Sequence, residues 1–229
     1  MPDIQNERTE AEHRWPAAIG VVAIALSYAA LPDNLLGHWR YGILAICVSL
    51  LITDIAINPL RMNRQTTWSR RVGVTQAIVV VVVNQVILAQ LIVELVDNSQ
   101  DGPAILLASL QVWLTNVIGF ALIFWELDRG GPVVRTHRPR NQIPPADFLF
   151  PQDQDDDAAP EVATLSSKKS NWLPGFVDYL YFSLSNSMAF SPTDVMPLTH
   201  RVKLMMGLEA LAGFILLALV ISRGVGLLG

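Results

Sequence analysis

The sequence predicts an all-α fold: a polytopic helical membrane bundle of five transmembrane helices and one re-entrant or interfacial helix. Hydrophobic residues make up 52% of the 229 residues and charged residues only 16%, against about 25% charged residues in soluble globular proteins. The apolar residues are gathered into long runs, each close to the roughly 20 residues that cross about 30 Å of hydrocarbon. These two observations predict a protein inserted in a lipid bilayer.

The composition also excludes two other classes of protein. The single cysteine, Cys47, cannot form a disulfide within the chain, so a secreted disulfide scaffold is excluded. The formal net charge is −4 and the chain has no basic domain, which argues against a nucleic-acid partner. The bilayer is therefore the partner that the composition itself predicts.

Five apolar segments have about the length of a membrane-spanning helix. We predict them at Trp15–Leu31, Tyr41–Ile57, Val72–Val96, Ala104–Trp125 and Val202–Val225. The polar tail over 1–14 carries too many charges for a cleavable signal peptide, so we expect the first segment to be retained as an anchor. The first four segments form a four-helix transmembrane region over 15–127.

The distribution of Lys and Arg predicts the orientation, because basic residues are enriched in cytoplasmic loops. If the N-terminal tail and the connections 58–71 and 126–201 share one side, that side holds fourteen of the sixteen basic residues, with Lys203 counted at its edge. Only Arg40 and Arg223 lie on the other side. We therefore predict a cytoplasmic N-terminus and, with five spans, a C-terminus outside.

The connection before the last span has two parts. Residues 128–171 are rich in proline and carry the acidic cluster Asp153, Asp155, Asp156 and Asp157, so we predict a loose linker. Phe148-Leu149-Phe150 interrupts it and is expected to touch either the membrane surface or the bundle. Residues 172–190 are too polar for a comfortable span and too apolar for a solvated loop. A re-entrant or interfacial helix is the prediction, and a sixth span is the alternative.

Residues 176–225 resemble the pore module of potassium-type ion channels. Asp178-Tyr179-Leu180-Tyr181-Phe182-Ser183 is similar to that family's pore helix, and Asp194 with Pro197 to the acid and proline after its filter. Leu208-Glu209-Ala210-Leu211-Ala212-Gly213 is similar to the start of its inner helix. The resemblance implies a pore-loop-like hairpin packed on the last transmembrane helix over 172–229, and a role in ion transport.

The filter of that family has no counterpart here. With Asp194 aligned, its Thr-Val-Gly-Tyr-Gly falls on Ala189-Phe190-Ser191-Pro192-Thr193, which has no glycine. A potassium filter holds the ion with stacked backbone carbonyls, and proline fixes φ where glycine would leave it free. The sequence therefore argues against selective potassium conduction. The charge count also places 176–197 on the cytoplasmic side, whereas the family's pore loop enters from outside.

The chain as a whole also resembles a group of uncharacterised bacterial integral membrane proteins. Three segments carry this resemblance: Trp125-Glu126-Leu127-Asp128-Arg129-Gly130-Gly131-Pro132, Asp147-Phe148-Leu149-Phe150-Pro151 and Ala189-Phe190-Ser191-Pro192-Thr193-Asp194. The resemblance implies a bacterial inner membrane as the location. It implies no activity.

Polar side chains in or near the spans are the candidate functional residues, because such groups are costly in a bilayer. The candidates for lining a polar cavity in the last region are Ser183, Asn186, Asp194 and Glu209. Glu209 lies about two turns inside its span. It is interpreted either as a cation or proton site, or as the partner of Arg201, Lys203 or an arginine of another connection.

Asn84 and Asn116 are two further candidates, near the middles of the third and fourth spans. A short loop joins these spans, so they are antiparallel neighbours and their amides are expected to meet at one depth. An interhelical hydrogen bond is the interpretation that we favour, since such bonds are worth under about 1–2 kcal/mol and need no solute. A solute site is the alternative.

We predict no catalytic, cofactor-binding or metal site, and no enzyme. The four histidines are scattered without metal-ligand spacing, and neither a phosphate-binding glycine loop nor a nucleophile elbow is present. The first function hypothesis is a channel-like protein involved in ion or small-solute transport. The alternative is a non-catalytic membrane subunit or scaffold whose acidic linker contacts a partner. A homo-oligomer or a membrane partner protein is compatible with both.

Overall fold

The computed structural model describes residues 11–32, 35, 37–63, 66–96, 102–154, 159–188 and 194–228. Within them the chain is mostly helical. The helices are α1 (Trp15–Ala30), α2 (Trp39–Ile57), α3 (Thr67–Val96), α4 (Gly102–Leu127), α5 (Pro132–His137), α6 (Pro160–Ala163), α7 (Ser167–Ser170), α8 (Phe176–Ser187) and α9 (His200–Leu228). Two short strands, β1 (Phe148–Leu149) and β2 (Met196–Pro197), pair antiparallel.

Four helical stretches in the described part of the chain are long and apolar enough to cross a membrane. They are Trp39–Ile57, Thr67–Glu94, Pro103–Gly130 and His200–Gly224. Helix α1 is also apolar but has only 16 residues, or about 24 Å of helix at 1.5 Å per residue. The prediction of a mostly helical chain with several helices long and apolar enough to span a membrane is therefore confirmed for four of the five predicted spans, and the predicted first span is a shorter apolar helix.

Helix α4 lies at the centre of the bundle, where it contacts α1, α3, α8 and α9. Helix α2 lies at the edge against α1 and α3. This difference is visible in burial: 61% of the apolar window of α4 is buried against 17% of that of α2. The centre of the core is aromatic, because Phe120 and Phe124 of α4 stack with each other and Phe124 also packs on Phe182 of α8.

A tight turn at the end of α4 folds the chain back over the bundle. Arg129, Gly130 and Gly131 have positive φ values of 52°, 81° and 92°, and glycine adopts this left-handed conformation without the steric cost that a Cβ brings. Pro132 then begins α5, where its fixed φ suits the first helical residue. The turn places α5 against the end of α4.

Helix α8 begins at one end of the bundle, and the segment that follows α8 returns to that same end. Phe176, the first residue of α8, packs on Trp125 near the end of α4, with ring centroids 5.8 Å apart. Ser187, the last residue of α8, lies against Gly213, more than three turns inside α9. Met196 is again paired with Leu149 beside the end of α4. Residues 189–193, aligned above with the channel filter, lie outside the described residues.

The prediction of a loose linker over 128–171 is wrong for its first part. Residues 128–154 fold against the end of the bundle, where Phe148 and Phe150 are only 0% and 2% exposed. Phe148 packs edge-on against rings of α4 and α8, so this segment touches the bundle. The average composition of the segment did not predict these contacts, because only two phenylalanines among many prolines provide the burial. Asp155, Asp156 and Asp157 lie outside the described residues.

Candidate functional site

The first polar site is built around Glu209 of α9, whose side chain is completely buried. Both of its carboxyl oxygens contact side chains of α8. Oε1 contacts the hydroxyl of Ser183, and Oε2 accepts a hydrogen bond from Asn186 Nδ2 at 2.7 Å. The second amide hydrogen of Asn186 goes to the backbone oxygen of Met206 at 3.1 Å. Three of the four residues predicted to line a cavity therefore meet, as a closed cluster.

The hydroxyl of Ser183 has more neighbours than it has hydrogens to give. Its oxygen lies 2.7 Å from the backbone oxygen of Val117 on α4 and also contacts Glu209 Oε1. A hydroxyl has one hydrogen to donate and accepts through its lone pairs. Each contact is a separate two-centre hydrogen bond when Glu209 carries a proton and donates it to Ser183, which then donates to Val117; with a charged Glu209, the single Ser183 hydrogen must be shared between the two oxygens. The geometry therefore fits a neutral Glu209.

The described part of the chain gives Glu209 no positive partner. Ser183 and Asn186 are the side chains that act on its carboxyl group. Arg201, one of its predicted partners, is paired with Asp147 instead, and Lys203 is exposed. Of the two interpretations of Glu209, the pair with Arg201, Lys203 or an arginine of another connection is therefore not the one that the described residues form. Since a buried charge is costly unless it is paired, the missing cation agrees with the hydrogen-bond count at Ser183.

Close packing of α8 on α9 holds this cluster together. A Cβ atom at Gly213 would overlap the backbone oxygen of Ser187, whereas a Cβ atom at Gly207 on the same helix would meet nothing within 4 Å. Gly213 is therefore required by the closeness of the two helices, and Gly207 is not. This closeness keeps Ser183 against Glu209.

Hydroxyl groups follow one face of α8. Tyr179, Ser183 and Ser187 are four residues apart, with exposed fractions of 0%, 0% and 2%, and each step is about 6 Å along the helix. Tyr179 donates to Asp128 Oδ2 at 2.5 Å. Ser187 Oγ is buried with no hydrogen-bond partner in the described part of the chain, and it lines a crevice of about 320 Å³. The stripe therefore leads from Asp128 past Glu209 to this crevice.

A group of ion pairs closes the end of the bundle above Glu209, and we call it the polar cap. Its members are Glu12, Arg14, Asp54, Asp128, Arg129, Arg135, Asp147, Asp153 and Arg201. The pairs are Arg14–Asp54 at 3.0 Å, Arg129–Asp153 at 2.5 Å, Arg135–Glu12 at 3.0 Å, and Arg201–Asp147. The cap thus gives each of these four arginines a carboxylate.

Glu12 connects the N-terminal tail to three helices of the bundle. Its carboxylate accepts hydrogen bonds from Trp125 Nε1 at 3.0 Å, Arg135 Nη2 at 3.0 Å and the backbone N–H of Phe176 at 2.6 Å. The last of these N–H groups belongs to the first turn of α8 and has no partner within the helix. Burial acts to lower the pKa of the Arg135 guanidinium, but its neighbours Tyr179 and Glu12 raise that pKa above its ordinary value.

The amides of Asn84 and Asn116 meet, as the sequence predicts. Asn84 Nδ2 donates to Asn116 Oδ1 at 3.0 Å, and Asn84 Oδ1 accepts from the hydroxyl of Thr115 at 2.7 Å. Gln85 adds a second donor to Asn116 Oδ1 at 2.8 Å. These hydrogen bonds join α3 and α4, which fits the favoured interpretation as an interhelical hydrogen-bond cluster, although Asn116 Nδ2 is buried with no hydrogen-bond partner in the described part of the chain.

Asp194 lies apart from the other predicted residues, because it is exposed and makes no recorded contact with the Glu209 cluster. Sequence reasoning also missed the polar cap. It counted the arginines as a signal of orientation only, and it did not predict that Arg14 pairs with Asp54. The available signal was the carboxylates at the same predicted end of the bundle, each of which needs a partner if it is buried.

Within the described residues, no group of three or more His, Cys, Asp and Glu side chains is placed to hold a metal ion. The chain matches no protein-family model, no curated protein and no solved structure. Its function is therefore argued from the geometry of its own residues.

Proposed function

We propose that this protein moves an ion or small solute across a membrane and that the ion taken up at Glu209 is a proton. The observation that carries the proposal is that the Ser183 hydroxyl contacts two oxygens, the Val117 backbone oxygen and Glu209 Oε1. A neutral Glu209 can donate its proton to Ser183 and so make both contacts hydrogen bonds. Ionisable groups inside a membrane bundle are typical of proton relays. Selective potassium transport is not part of the proposal, because the chain has no glycine filter.

The hydroxyl stripe of α8 is the proposed route to this site. Tyr179 connects to the buried Asp128 on one side of Glu209, and Ser187 reaches the 320 Å³ crevice on the other. Steps of about 6 Å are too long for a direct hydrogen bond. Each transfer along the stripe therefore requires a water molecule between hydroxyls, and the rate is expected to depend on opening of the contact between α8 and α9.

The proposal assigns five membrane crossings to α1, α2, α3, α4 and α9, and makes α8 a re-entrant helix. Its support is that α8 begins and the following strand ends at the same end of the bundle. Irregular backbone at membrane depth is tolerated only where protein or water covers it, and α4 and α9 flank α8. The proposed location is a bacterial inner membrane with the N-terminus in the cytoplasm.

Thiol labelling in intact cells tests this orientation. In a Cys47→Ser background, Arg138→Cys places a thiol at an exposed position of the cap end, and Trp39→Cys places one at the opposite end. We expect an impermeant reagent to label position 39 from outside and position 138 only after the cells are permeabilised. The reverse pattern would contradict the proposed orientation.

Proton uptake by proteoliposomes tests the function. Vesicles that hold a pH-sensitive dye and an outward potassium gradient are given valinomycin, so that a negative potential draws protons inward. We expect acidification with the native protein, and its loss with Glu209→Gln. Glu161→Gln, at an exposed glutamate, is the matched control and should conduct like the native protein. Folded native protein that passes neither protons nor other small solutes in either direction would contradict the proposal.

The alternative function is a non-catalytic membrane subunit or scaffold. The closed packing at Glu209 favours it, because neither Ser183 nor Glu209 has any exposed surface. A deletion of residues 152–163 would also remove Asp153, the partner of Arg129. Replacing Asp155, Asp156 and Asp157 by Ser is the cleaner test. Loss of a co-purifying partner with unchanged proton flux would favour the scaffold, and lost flux without lost partners would favour transport.

A further inference from the structure

An open crevice of about 600 Å³ lies at the cap end of the bundle. Its lining includes Asn63, Thr66, Thr67 and Arg70, around the start of α3, and His137 and Arg138 at the end of α5. Gly130 and the apolar residues Val133, Val134 and Pro144 complete the lining. No aspartate or glutamate is among the lining residues in the described part of the chain. The polar part of the lining therefore consists of hydrogen-bonding groups and positive charge.

These arginines differ from those of the polar cap. Four cap arginines are held by carboxylates within 4 Å. Arg138 is exposed, and no ion pair is recorded for it within the described residues. Arg70 interacts with Glu126 and also lines the crevice. The charge of Arg138 is thus available to a ligand from outside the chain, and that of Arg70 is shared with Glu126.

The start of α3 adds to the attraction for an anion. Helix α3 has 30 residues, and its first turn carries the positive end of the helix dipole. Thr66 and Ser69 cap that turn reciprocally, with N···O distances of 2.9 Å and 3.1 Å. The hydroxyl groups of Thr66 and Thr67 and the side-chain amide of Asn63 are additional hydrogen-bond donors in the lining of the crevice.

Exposed apolar residues next to the crevice residues in the sequence argue for a position near the lipid headgroups. Trp68 and Leu60 are 66% and 63% exposed, and tryptophan is enriched at the boundary between membrane and water. Both are close in sequence to the crevice residues Asn63, Thr67 and Arg70. An anion bound here would have its charge in the crevice and an apolar body beside Trp68 and Leu60, which is the form of a lipid.

We propose that this crevice binds the phosphate of an anionic lipid headgroup in the leaflet at the cap end. Arg70 and Arg138 supply the charge, while Thr66 and Thr67 supply hydrogen bonds. Basic pockets between helices on the cytoplasmic side bind anionic headgroups, and each Arg near the surface is worth about 1 kcal/mol. This proposal does not depend on proton transport at Glu209.

The test is retention of phosphatidylglycerol against phosphatidylcholine, measured by native mass spectrometry of protein released from mixed vesicles. We expect the native protein to retain phosphatidylglycerol preferentially. The double variant Arg70→Gln/Arg138→Gln should bind it about 30-fold more weakly, since two arginines contribute about 2 kcal/mol. Arg71→Gln, at an exposed arginine outside the crevice lining, is the matched control and should bind like the native protein.

Two results would overturn the proposal. One is equal retention of phosphatidylglycerol by the native protein and the double variant. The other is binding of inorganic phosphate that fully displaces phosphatidylglycerol, which would make the crevice a site for soluble anions. If Arg70→Gln disturbs folding through Glu126, Arg138→Gln alone still decides the question, with an expected loss of about fivefold.

Discussion

The polar cap and the Glu209 site both bury carboxyl groups, but they do so in opposite ways. In the cap, Glu12, Asp147 and Asp153 each face an arginine. At the Glu209 site, the partners are a hydroxyl and an amide. A carboxylate that faces a guanidinium is stabilised in its charged form, whereas a buried carboxyl group among neutral groups has no countercharge to offset the cost of burying its own charge. The cap is therefore expected to hold charge permanently, and the Glu209 site to exchange a proton.

The comparison also predicts different effects of substitution in the two regions. Removing one partner of a buried ion pair leaves an uncompensated charge and is strongly destabilising. Removing the acidity of a neutral carboxyl group leaves the packing nearly unchanged. Substitutions in the cap should thus lower the free energy of unfolding, while a conservative substitution at Glu209 should change transport alone.

The largest expected effect is that of Arg135→Ala in the cap. Arg135 is completely buried and bonds both Glu12 and the backbone oxygen of Trp125, so its loss should lower the free energy of unfolding by about 3–5 kcal/mol. Denaturant titration in detergent micelles measures it. Arg71→Ala, at an exposed position, should change stability by less than about 0.5 kcal/mol. Equal losses of unfolding free energy in the two variants would contradict the predicted difference between the cap and the exposed surface.

Gly213→Ala should have the next largest effect. The added methyl group overlaps the backbone of α8, and overpacking of this kind costs about 1–3 kcal/mol. Gly207→Ala on the same helix meets open space and should stabilise α9 by up to about 1 kcal/mol through helix propensity. The pair is compared by thermal unfolding in micelles. Similar melting temperatures for both would mean that α8 does not sit tightly on α9.

Ser183→Ala tests the link between the two helices at Glu209. It removes the contacts to Val117 and Glu209, at an expected cost of about 1 kcal/mol in stability. Proton uptake should fall strongly, because the hydroxyl next to Glu209 is lost from the stripe. Unchanged uptake would place the route elsewhere. Ser183→Thr, which keeps the hydroxyl, should retain part of the uptake if the larger side chain is accommodated.

Asn84→Leu should have the smallest effect on proton uptake. The variant removes the bonds to Asn116 and Thr115, and interhelical hydrogen bonds of this kind average about 0.6 kcal/mol. Proton uptake should stay at the native level, because the amide cluster lies off the hydroxyl stripe. Loss of uptake with intact folding would favour the solute-site interpretation of Asn84 and Asn116. Gln90→Leu, at an exposed position of α3, is the control.

The sequence predicted the features that depend on one helix alone or on two helices joined by a short loop. Hydropathy alone indicated several apolar spans, and the short loop between α3 and α4 was enough to bring Asn84 to Asn116. It did not predict the cap, because Glu12 meets Arg135 across 123 positions and no local pattern contains such a contact. It misjudged 128–154 for the same reason: the partners of Phe148 lie on α4 and α8.

The partner of Glu209 was also beyond sequence reasoning. Ser183 and Asn186 were expected in the same cavity as Glu209, but a pair of Glu209 with Arg201, Lys203 or an arginine of another connection was the other interpretation. The outcome depends on Asp147, which lies 54 positions before Arg201 and takes its guanidinium. The neutral surroundings of Glu209 thus follow from a contact in the cap, and they show how the two regions depend on each other.

The protonation state of Glu209 tests the central claim most directly. Infrared spectra of the protein near pH 7 report the C=O stretch of a protonated carboxylic acid, and a difference spectrum against Glu209→Gln isolates the band of this residue. We predict that the band is present in the native protein, lost in Glu209→Gln and unchanged in Glu161→Gln. A difference spectrum that shows only carboxylate bands would mean that Glu209 is charged, and would contradict the proton site.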